Sequence, residues 1–357
     1  MIAYYWQNFL MMSRQDQVFF ILILSILFLL FFVIFLGFTT FYLRIKNHLR
    51  FKKFSQLEKV WEPILLDILS EDRSPEDVQA YVNQDSMWQF LSYLSRFIAV
   101  VDGDARKQLI DAGSPYIKHV VRKLRSWKIE KKAEVISLMN RLDPEKYDRE
   151  FQKALNDSSF LVNMVAAKAL ARKGQTENGE AILDNLDRFH IWSVNLLSSV
   201  IAQVGISLAP ALRNLMLNRN KPVWQRVIAI ETLIKLYDFK SGDYCEDICS
   251  EGENREVIAA YLRLMRLIAD ERHASVMRKL CERDDPVILS NAVRVLTQIS
   301  TEENETCYKK AMDNPSIWVV INAAWGLKES GKLDILRKYA YSDHPRAGLT
   351  RQILTEV

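Results

Sequence analysis

Two patterns of apolar positions divide this chain. From Val18 to Leu43, "VFFILILSILFLLFFVIFLGFTTFYL", the sequence is almost wholly apolar and carries no charge over 26 residues. Beyond about residue 71 the apolar positions return at three- and four-residue intervals among charged ones, which predicts a series of amphipathic helices. At about 1.5 Å per residue the first segment forms a helix of roughly 39 Å, enough to cross a hydrocarbon core of about 30 Å with tilt. "FYLRIKNHLR" ends and follows it where a cleaved signal would carry a small-residue cleavage motif, so the segment is expected to stay as an anchor.

Charge around the anchor gives its orientation. Arg14 is the single Lys/Arg before it, whereas Arg44, Lys46, Arg50, Lys52 and Lys53 crowd its far end. The positive-inside rule places residues 1–17 outside and everything after the span in the cytoplasm, with Tyr4, Tyr5 and Trp6 at the outer interface. No ionisable residue lies within the span, and Gly37 has no GxxxG partner, so neither an ion path nor strong self-association is indicated. Residues 44–70 read as a basic helical connector, with Leu49, Phe51, Phe54, Leu57, Val60 and Trp61 as its apolar contacts. "DRSPEDVQAYV" then offers Ser74 as N-cap with Pro75 at the first helical position, and "GSPYIKHVVRKL" predicts the same device at Ser114 and Pro115.

The rest of the chain repeats itself. "NDSSFLVNMVAAKALARKG" (156–174), "NRNKPVWQRVIAIETLIKL" (218–236), "CERDDPVILSNAVRVLTQIS" (281–300) and "DNPSIWVVINAAWGLKESG" (313–331) share an Asp/Asn-bearing turn that leads into a helix. In that helix a small or apolar residue is followed four positions later by a larger apolar one. The pairs are Val135/Met139, Ala166/Leu170, Leu197/Ile201, Ala229/Leu233, Ala260/Leu264, Ala292/Leu296, Ala323/Leu327 and Ile353/Val357, at spacings of 31, 31, 32, 31, 32, 31 and 30 residues. Such a period holds two short helices and their turns, each unit burying its apolar stripe against the next. Gly174, Gly205 and Gly331 follow the second helix where a left-handed C-cap is wanted.

On these residues the chain resembles the HEAT-repeat family, above all the short HEAT-like repeats of bacterial proteins and of phycobilisome lyases. The likeness is clearest over 126–357, with Asp85–Val101 as a further degenerate unit. It implies an all-α solenoid over 71–357 behind one N-terminal transmembrane helix, and its short repeat type implies a bacterial inner membrane. It also implies two kinds of activity, a protein-docking scaffold or a lyase-type enzyme acting on bilins. The Val-Arg pair common after the family's turn is replaced here by "LVN", "WQR" and "WVV", so only Arg226 of that arginine series stands at these places.

Composition narrows the function. With 11 glycines and 9 prolines the chain favours long helices over a turn-rich β fold. The net charge of +4 is mild, and the face of each repeat's second helix, sampled at Lys168, Ser199, Glu231, Leu262, Arg294 and Trp325, then at Arg172, Gln203, Lys235, Arg266, Gln298 and Glu329, mixes signs. Nucleic acid, which needs a continuous basic stripe, is therefore disfavoured. Cys245, Cys249, Cys281 and Cys307 are too few for a disulfide framework and lack metal-ligand company, which predicts buried structural thiols. His48, His119, His190, His273 and His344 stand apart, no phosphate-cradling glycine loop occurs, and Asp284/Asp285 before Pro286 read as a helix start. No cofactor, metal or small-molecule substrate is indicated.

What remains is surface. Trp192, Trp224 and Trp318 occupy one repeat position and are either plugs in the seams between repeats or an aromatic strip for a partner, to which Arg266, Arg294 and Trp325 would add. "KHVVRKLRSWKIEKK" (118–132) carries seven Lys/Arg against Glu130; its Arg122, Lys123, Arg125 and Lys128, with Arg44, Lys46, Arg50, Lys52 and Lys53, are candidate contacts to anionic lipid headgroups or else a solvated face. The expectation is a membrane-tethered scaffold for protein partners, for example in an envelope glycosyltransferase or signalling assembly. A bilin-related lyase and an anionic-lipid-binding structural protein are its rivals.

Overall fold

The computed structural model describes residues 13–125, 128–142, 145–299 and 301–356. Tyr4, Tyr5, Trp6 and Val357 lie outside these, as do the side chains of Arg14, Arg50 and Lys123. The described residues form helices and turns without a strand, so the fold is all-α. They group into two compact units that divide between Lys118 and His119.

The first unit begins with α1, an unbroken helix of 56 residues from Arg14 to Leu69, capped by Ser13. Span and connector are thus one helix, about 84 Å long. Every side chain from Val18 to Leu43 is exposed. The three aliphatic hydroxyls there turn back on their own helix: Ser25 Oγ donates to the Ile21 carbonyl at 2.8 Å, Thr39 Oγ1 to Phe35 at 2.8 Å and Thr40 Oγ1 to Leu36 at 2.7 Å. That arrangement satisfies those three donors within the helix itself.

The far end of α1 packs into a core with α2 (Met87–Ile98) and α3 (Gly103–Val121). Trp61, Ile64, Leu65 and Ile68 are buried on one side of α1, spaced as a helix face requires. The Trp61 ring meets Phe90 edge-on at 5.4 Å, Phe90 meets Tyr116 at 5.5 Å, and Phe54 meets Tyr93 at 6.3 Å. Leu49, Phe51 and Val60, expected among the contacts, are exposed because they fall on other sides of the helix. Ser74 caps a helix start as expected, its Oγ accepting from Glu76 N–H while Asp77 accepts from Ser74 N–H at 3.1 Å, but the helix is a short 3-10 turn, Pro75–Ala80. Ser114 is no cap: Pro115 sits inside α3, which starts a dozen residues earlier at Gly103, and Gly113 lets α3 press so close to α2 that a Cβ there would stand 2.7 Å from Leu94.

In chain order the second unit runs α4 (Ile129–Leu142), α5 (Asp148–Leu155), α6 (Phe160–Ala171), α7 (Thr176–Asp184), α8 (Val194–Ile201), α9 (Ala209–Leu217), α10 (Val223–Leu236), α11 (Cys245–Ile248), α12 (Arg255–Ile268), α13 (Ala274–Leu280), α14 (Pro286–Leu296), α15 (Asn304–Met312), α16 (Ile317–Glu329), α17 (Leu333–Ala340) and α18 (Ala347–Thr355). Even-numbered helices stack on one another in sequence, and α5, α9, α13, α15 and α17 each pack on the helix that follows. All the described members of the expected ladder, from Val135 to Ile353, are buried in the even-numbered layer. Small residues such as Ala229, Ala260 and Ala292 let these helices approach, and the leucine one turn on fills the space beside them. The pair α8 and α9 is apolar enough to pass for a membrane span, but it bends by 103° at Gly205 and contributes Leu197, Ile201 and Leu212 to the repeat core.

The turns follow one device. Asp157, Asn218, Asn254, Asp285 and Asn314 each accept the backbone N–H two residues on, at 2.8–3.0 Å. At the other end, Gly174 and Gly331 take φ of 67° and 74°, and Gly205 takes φ 96° with ψ −176°, a region open essentially to glycine alone.

Polar brackets one repeat long join neighbours. Arg213 grips Asp238 through both carboxylate oxygens at 2.7 and 2.8 Å, Lys132 pairs with Asp157 at 2.7 Å and Arg278 with Glu303 at 2.6 Å. The deepest is that of Arg226. It makes two hydrogen bonds of 2.8 Å to Glu253 and a third to the Met216 carbonyl, and both charged side chains are 3% exposed. Burial disfavours the charge on Glu253, but the hydrogen bonds from Arg226 and from Asn254 N–H, with the charges of Arg226 and Arg219, outweigh it and hold the pKa below the usual 4.5.

Three outcomes follow for the full-length protein in detergent, read by circular dichroism during chemical unfolding. Arg226→Ala strands a buried carboxylate and should cost about 3 kcal/mol, the low end for a broken buried pair because Arg219 stays at 3.3 Å from Glu253. Because the unfolded chain holds this proton more tightly, the bracket's contribution is present above pH 4.5 and disappears as pH falls through the lower folded value, so Glu253→Gln should flatten that part of the acid-side slope. Gly326→Ala tests packing against propensity. A Cβ there would lie 2.6 Å from the ring of buried Tyr308. Overpacking of about 1–3 kcal/mol outweighs the roughly 1 kcal/mol that alanine gains in a helix, so the protein should lose stability.

Candidate functional site

The even-numbered helices bury one face on their neighbours and turn another outward. Along α14 and α16 the outward positions fall at three- and four-residue steps, Val287, Asn291, Arg294 and Gln298 on one helix, Trp318, Asn322, Trp325 and Glu329 on the next. Together with Arg266 from the end of α12 they line a groove of about 690 Å³, within the size range of built ligand sites. The groove brings together four of the six expected partner-binding residues, Arg266, Arg294, Trp318 and Trp325. Trp318 stands 68% exposed at its edge. Lys328 Nζ sits over the Trp325 ring, 4.8 Å from its centroid.

Trp192 and Trp224 do not join the groove. Both are half-buried, and Trp192 packs edge-on against Phe160 at 6.4 Å with its indole N–H enclosed and without a partner. One repeat position therefore serves two purposes, partial burial at Trp192 and Trp224 and open surface at Trp318. The expected outward register fails at Leu262, which is fully buried; Arg263 beside it faces out instead.

Charge along this layer is uneven. Between α10 and α12, Arg263 is engaged by Glu231, with Nε at 2.9 Å from the carboxylate, and Lys235 donates to Asn195 Oδ1 at 2.9 Å. Arg266 and Arg294 have no ion pair among the described residues. Burial lowers the Arg266 pKa from its ordinary value, and the neighbouring positive charge of Arg294 lowers it further. Two residues missed in the sequence complete the walls. Asn322 Nδ2 donates to Ser290 Oγ at 2.7 Å and to its carbonyl at 3.1 Å, while Asn291 Nδ2 donates to the Val287 carbonyl at 2.8 Å. Their shared place, just before the small ladder residue in consecutive repeats, was the available signal.

The candidate lipid contacts lie in separate units. Arg44, Lys46, Lys52 and Lys53 are exposed on α1, and Lys46 Nζ lies 5.9 Å from the Tyr42 ring centroid. Arg122, Arg125 and Lys128 are exposed beyond α3. Lys132, in the same charge run, is paired with Asp157.

Other chemistry is sparse. His190 caps a turn through the Asp187 carbonyl at 3.0 Å, and Asp285 caps α14 as its position before Pro286 requires. Among the described residues no three His, Cys, Asp or Glu side chains come together as metal ligands do. Cys245, Cys249 and Cys281 are buried, and Cys307 is half-buried. The hydrogen bond from the Cys281 thiol draws the Cys307 pKa down to about 7, against the effect of burial and with help from the charges of Arg278 and Lys310.

No protein-family model matches the chain, and no curated protein matches it. Solved structures similar to it include human deoxyhypusine hydroxylase in complex with glycerol, at 13% identity over 69% of this chain and 97% of the other, with a TM-score of 0.30. Kap121p bound to Ste12p is similar at 15% identity over 75% of this chain and 32% of that one, TM-score 0.35. A designed armadillo repeat protein, YIII(Dq)4CqI, is similar at 17% over 72% and 100%, TM-score 0.23. At these scores the likenesses carry no argument, and the all-α repeat fold stands on the helices and ladder of this chain.

The thiols give a direct check on the site's surroundings. In the folded protein iodoacetamide should modify Cys307 alone, with a rate that rises through pH 7 as its thiolate forms. Cys245, Cys249 and Cys281 should react only on unfolding; peptide mapping by mass spectrometry reads both results.

Proposed function

We propose that this chain is a single-pass membrane protein whose cytoplasmic helical repeats, HEAT-like in kind, dock protein partners at the membrane. The observation that carries the reading is α1. One helix bears a 26-residue uncharged stretch, exposed throughout and with its Ser and Thr hydroxyls satisfied internally, and then becomes a packed wall of the first unit at Trp61 to Ile68. Exposed apolar surface on that scale is stable in hydrocarbon and not in water. The exposed cations at Arg44, Lys46, Lys52 and Lys53 follow the span, which supports a cytoplasmic placement of what comes after and adds on the order of 1 kcal/mol each at an anionic surface.

The repeats supply the docking half. An array of stacked helices offers a long surface, and tethering raises the local concentration of whatever it binds. The groove across α12, α14 and α16 is the place on that surface where aromatic and arginine side chains, the commonest binding anchors, converge. The partner we favour is a membrane enzyme or its cytoplasmic regulator, such as one in an envelope glycosyltransferase or signalling assembly. No residue constellation in the groove supports acid-base or nucleophilic chemistry, so an enzyme is the weaker reading.

Alkaline carbonate extraction should leave the full-length protein in the membrane pellet and release a chain without residues 1–43. Cross-linking in intact membranes followed by affinity purification should recover a stoichiometric protein partner with the full-length chain. Recovery of the chain alone would remove the docking reading, and release of the full-length protein by carbonate would remove the anchor.

A further inference from the structure

The unevenness of charge along the even-numbered helices says what kind of partner segment fits the groove. Lys168 and Arg172, on an earlier repeat, are exposed without an ion pair among the described residues, but nearer the groove the chain supplies partners: Glu231 for Arg263 and Asn195 for Lys235. The staples between repeats do the same for Arg213, Arg226, Arg255 and Arg278. Arg266 and Arg294 both line the groove without an ion pair among the described residues, near enough that the charge of Arg294 acts on Arg266, with Glu329 as the one carboxylate lining it. Two unpaired guanidiniums at close range repel each other, and burying either makes this worse. An anion held between them relieves both costs. Around them are Trp318, Trp325, Val287 and Ile321, surface that a free inorganic anion would leave uncovered.

We propose that this groove binds an acidic, extended segment of a partner protein, Arg266 and Arg294 taking its carboxylates and Trp318 and Trp325 its adjoining apolar side chains. The proposal rests on the docking reading and names the chemical class of the segment docked. A carboxylate is matched by the planar two-pronged donor of arginine. Asn291 and Gln298 add amide groups that can meet a peptide backbone.

Full-length protein in neutral-lipid nanodiscs should be presented with a randomised octapeptide display library. Peptides selected by the wild type are expected to carry Asp or Glu beside an aromatic or aliphatic residue. Binding of the selected peptides, followed by indole fluorescence, should weaken about tenfold in Arg266→Gln and in Arg294→Gln. It should also weaken as salt rises, and Trp318→Ala should weaken it with the acidic preference retained. Neither arginine closes an ion pair, so folding should be unchanged by circular dichroism. In the doubly reversed Arg266→Glu/Arg294→Glu protein, the library should yield basic peptides instead. Selection of neutral or basic peptides by the wild type, acidic selection that survives double reversal, or no selection at all would each overturn the proposal. So would quenching by phosphatidylserine vesicles, with no response to peptides, that is lost on double reversal; the occupant would then be lipid. If the doubly reversed protein still recovers the partner cross-linked by wild type in membranes, docking stands and this groove is not its site.

Discussion

A helix that buries only one stripe has no core of its own, and every feature of the second unit answers that constraint. Val135/Met139 through Ala323/Leu327 place a small or medium residue and a larger one at the same height in successive helices, so each repeat closes its neighbour's open side. The spacing of 30 to 32 residues is set by what two short helices and two turns require. Stability passes from neighbour to neighbour, which is why the polar brackets matter where they do. Arg226 to Glu253 and Arg213 to Asp238 each tie a helix to the turn of the next repeat, at separations of 27 and 25 residues. Buried charges of this kind add little net stability but penalise any stacking that separates them.

Stacking also decides what is left over. Once one face of each even-numbered helix is spent on the ladder and another on the odd-numbered helix before it, the third is free to vary. Arg263 of α12 is neutralised by Glu231 of α10; Arg266 at the end of α12 and Arg294 on α14 are not. The groove is therefore a property of pairing across repeats. Trp318 and Trp325 differ from Trp192 and Trp224 for the same reason: their neighbours at Val287, Ser290 and Asn291 are small or polar, whereas Trp192 meets the ring of Phe160.

Periodic features were legible in the sequence. The ladder, the Asp/Asn turns, the glycines at 174, 205 and 331 and the long apolar stretch all follow from local chemistry. What could not be read depends on partners far along the chain. Ser114–Pro115 has the same signature as Ser74–Pro75, yet the helix around it starts earlier because Leu91 and Leu94 of α2 hold Gly113 in close contact. Leu49, Phe51 and Val60 are as apolar as Trp61, but the face that meets Phe90 and Tyr93 excludes them. Of the groove, Arg294, Gln298, Trp325 and Glu329 could be named in advance through their repeat register, whereas Asn291 and Asn322 were not. That Arg263 is paired while Arg266 and Arg294 stand alone needed the positions of Glu231 and its neighbours.

The continuity of α1 bears on how a tether of this kind would act. A flexible linker lets a domain sample a wide volume and dilutes the benefit of anchoring as it lengthens. Here no Gly- or Ser-rich stretch separates the span from the first packed residues, Phe54 and Trp61, and the intervening turns of helix are continuous. Pro63 lies within that helix and removes one backbone donor, but it does so where Trp61, Ile64 and Leu65 are held by the core, so packing preserves the direction that the missing hydrogen bond would otherwise loosen. The packed residues of the first unit are accordingly joined to the apolar segment by a stiff element and not merely confined near it. Any tilt of the apolar segment would then be transmitted directly to the helix core around Trp61 and Phe90.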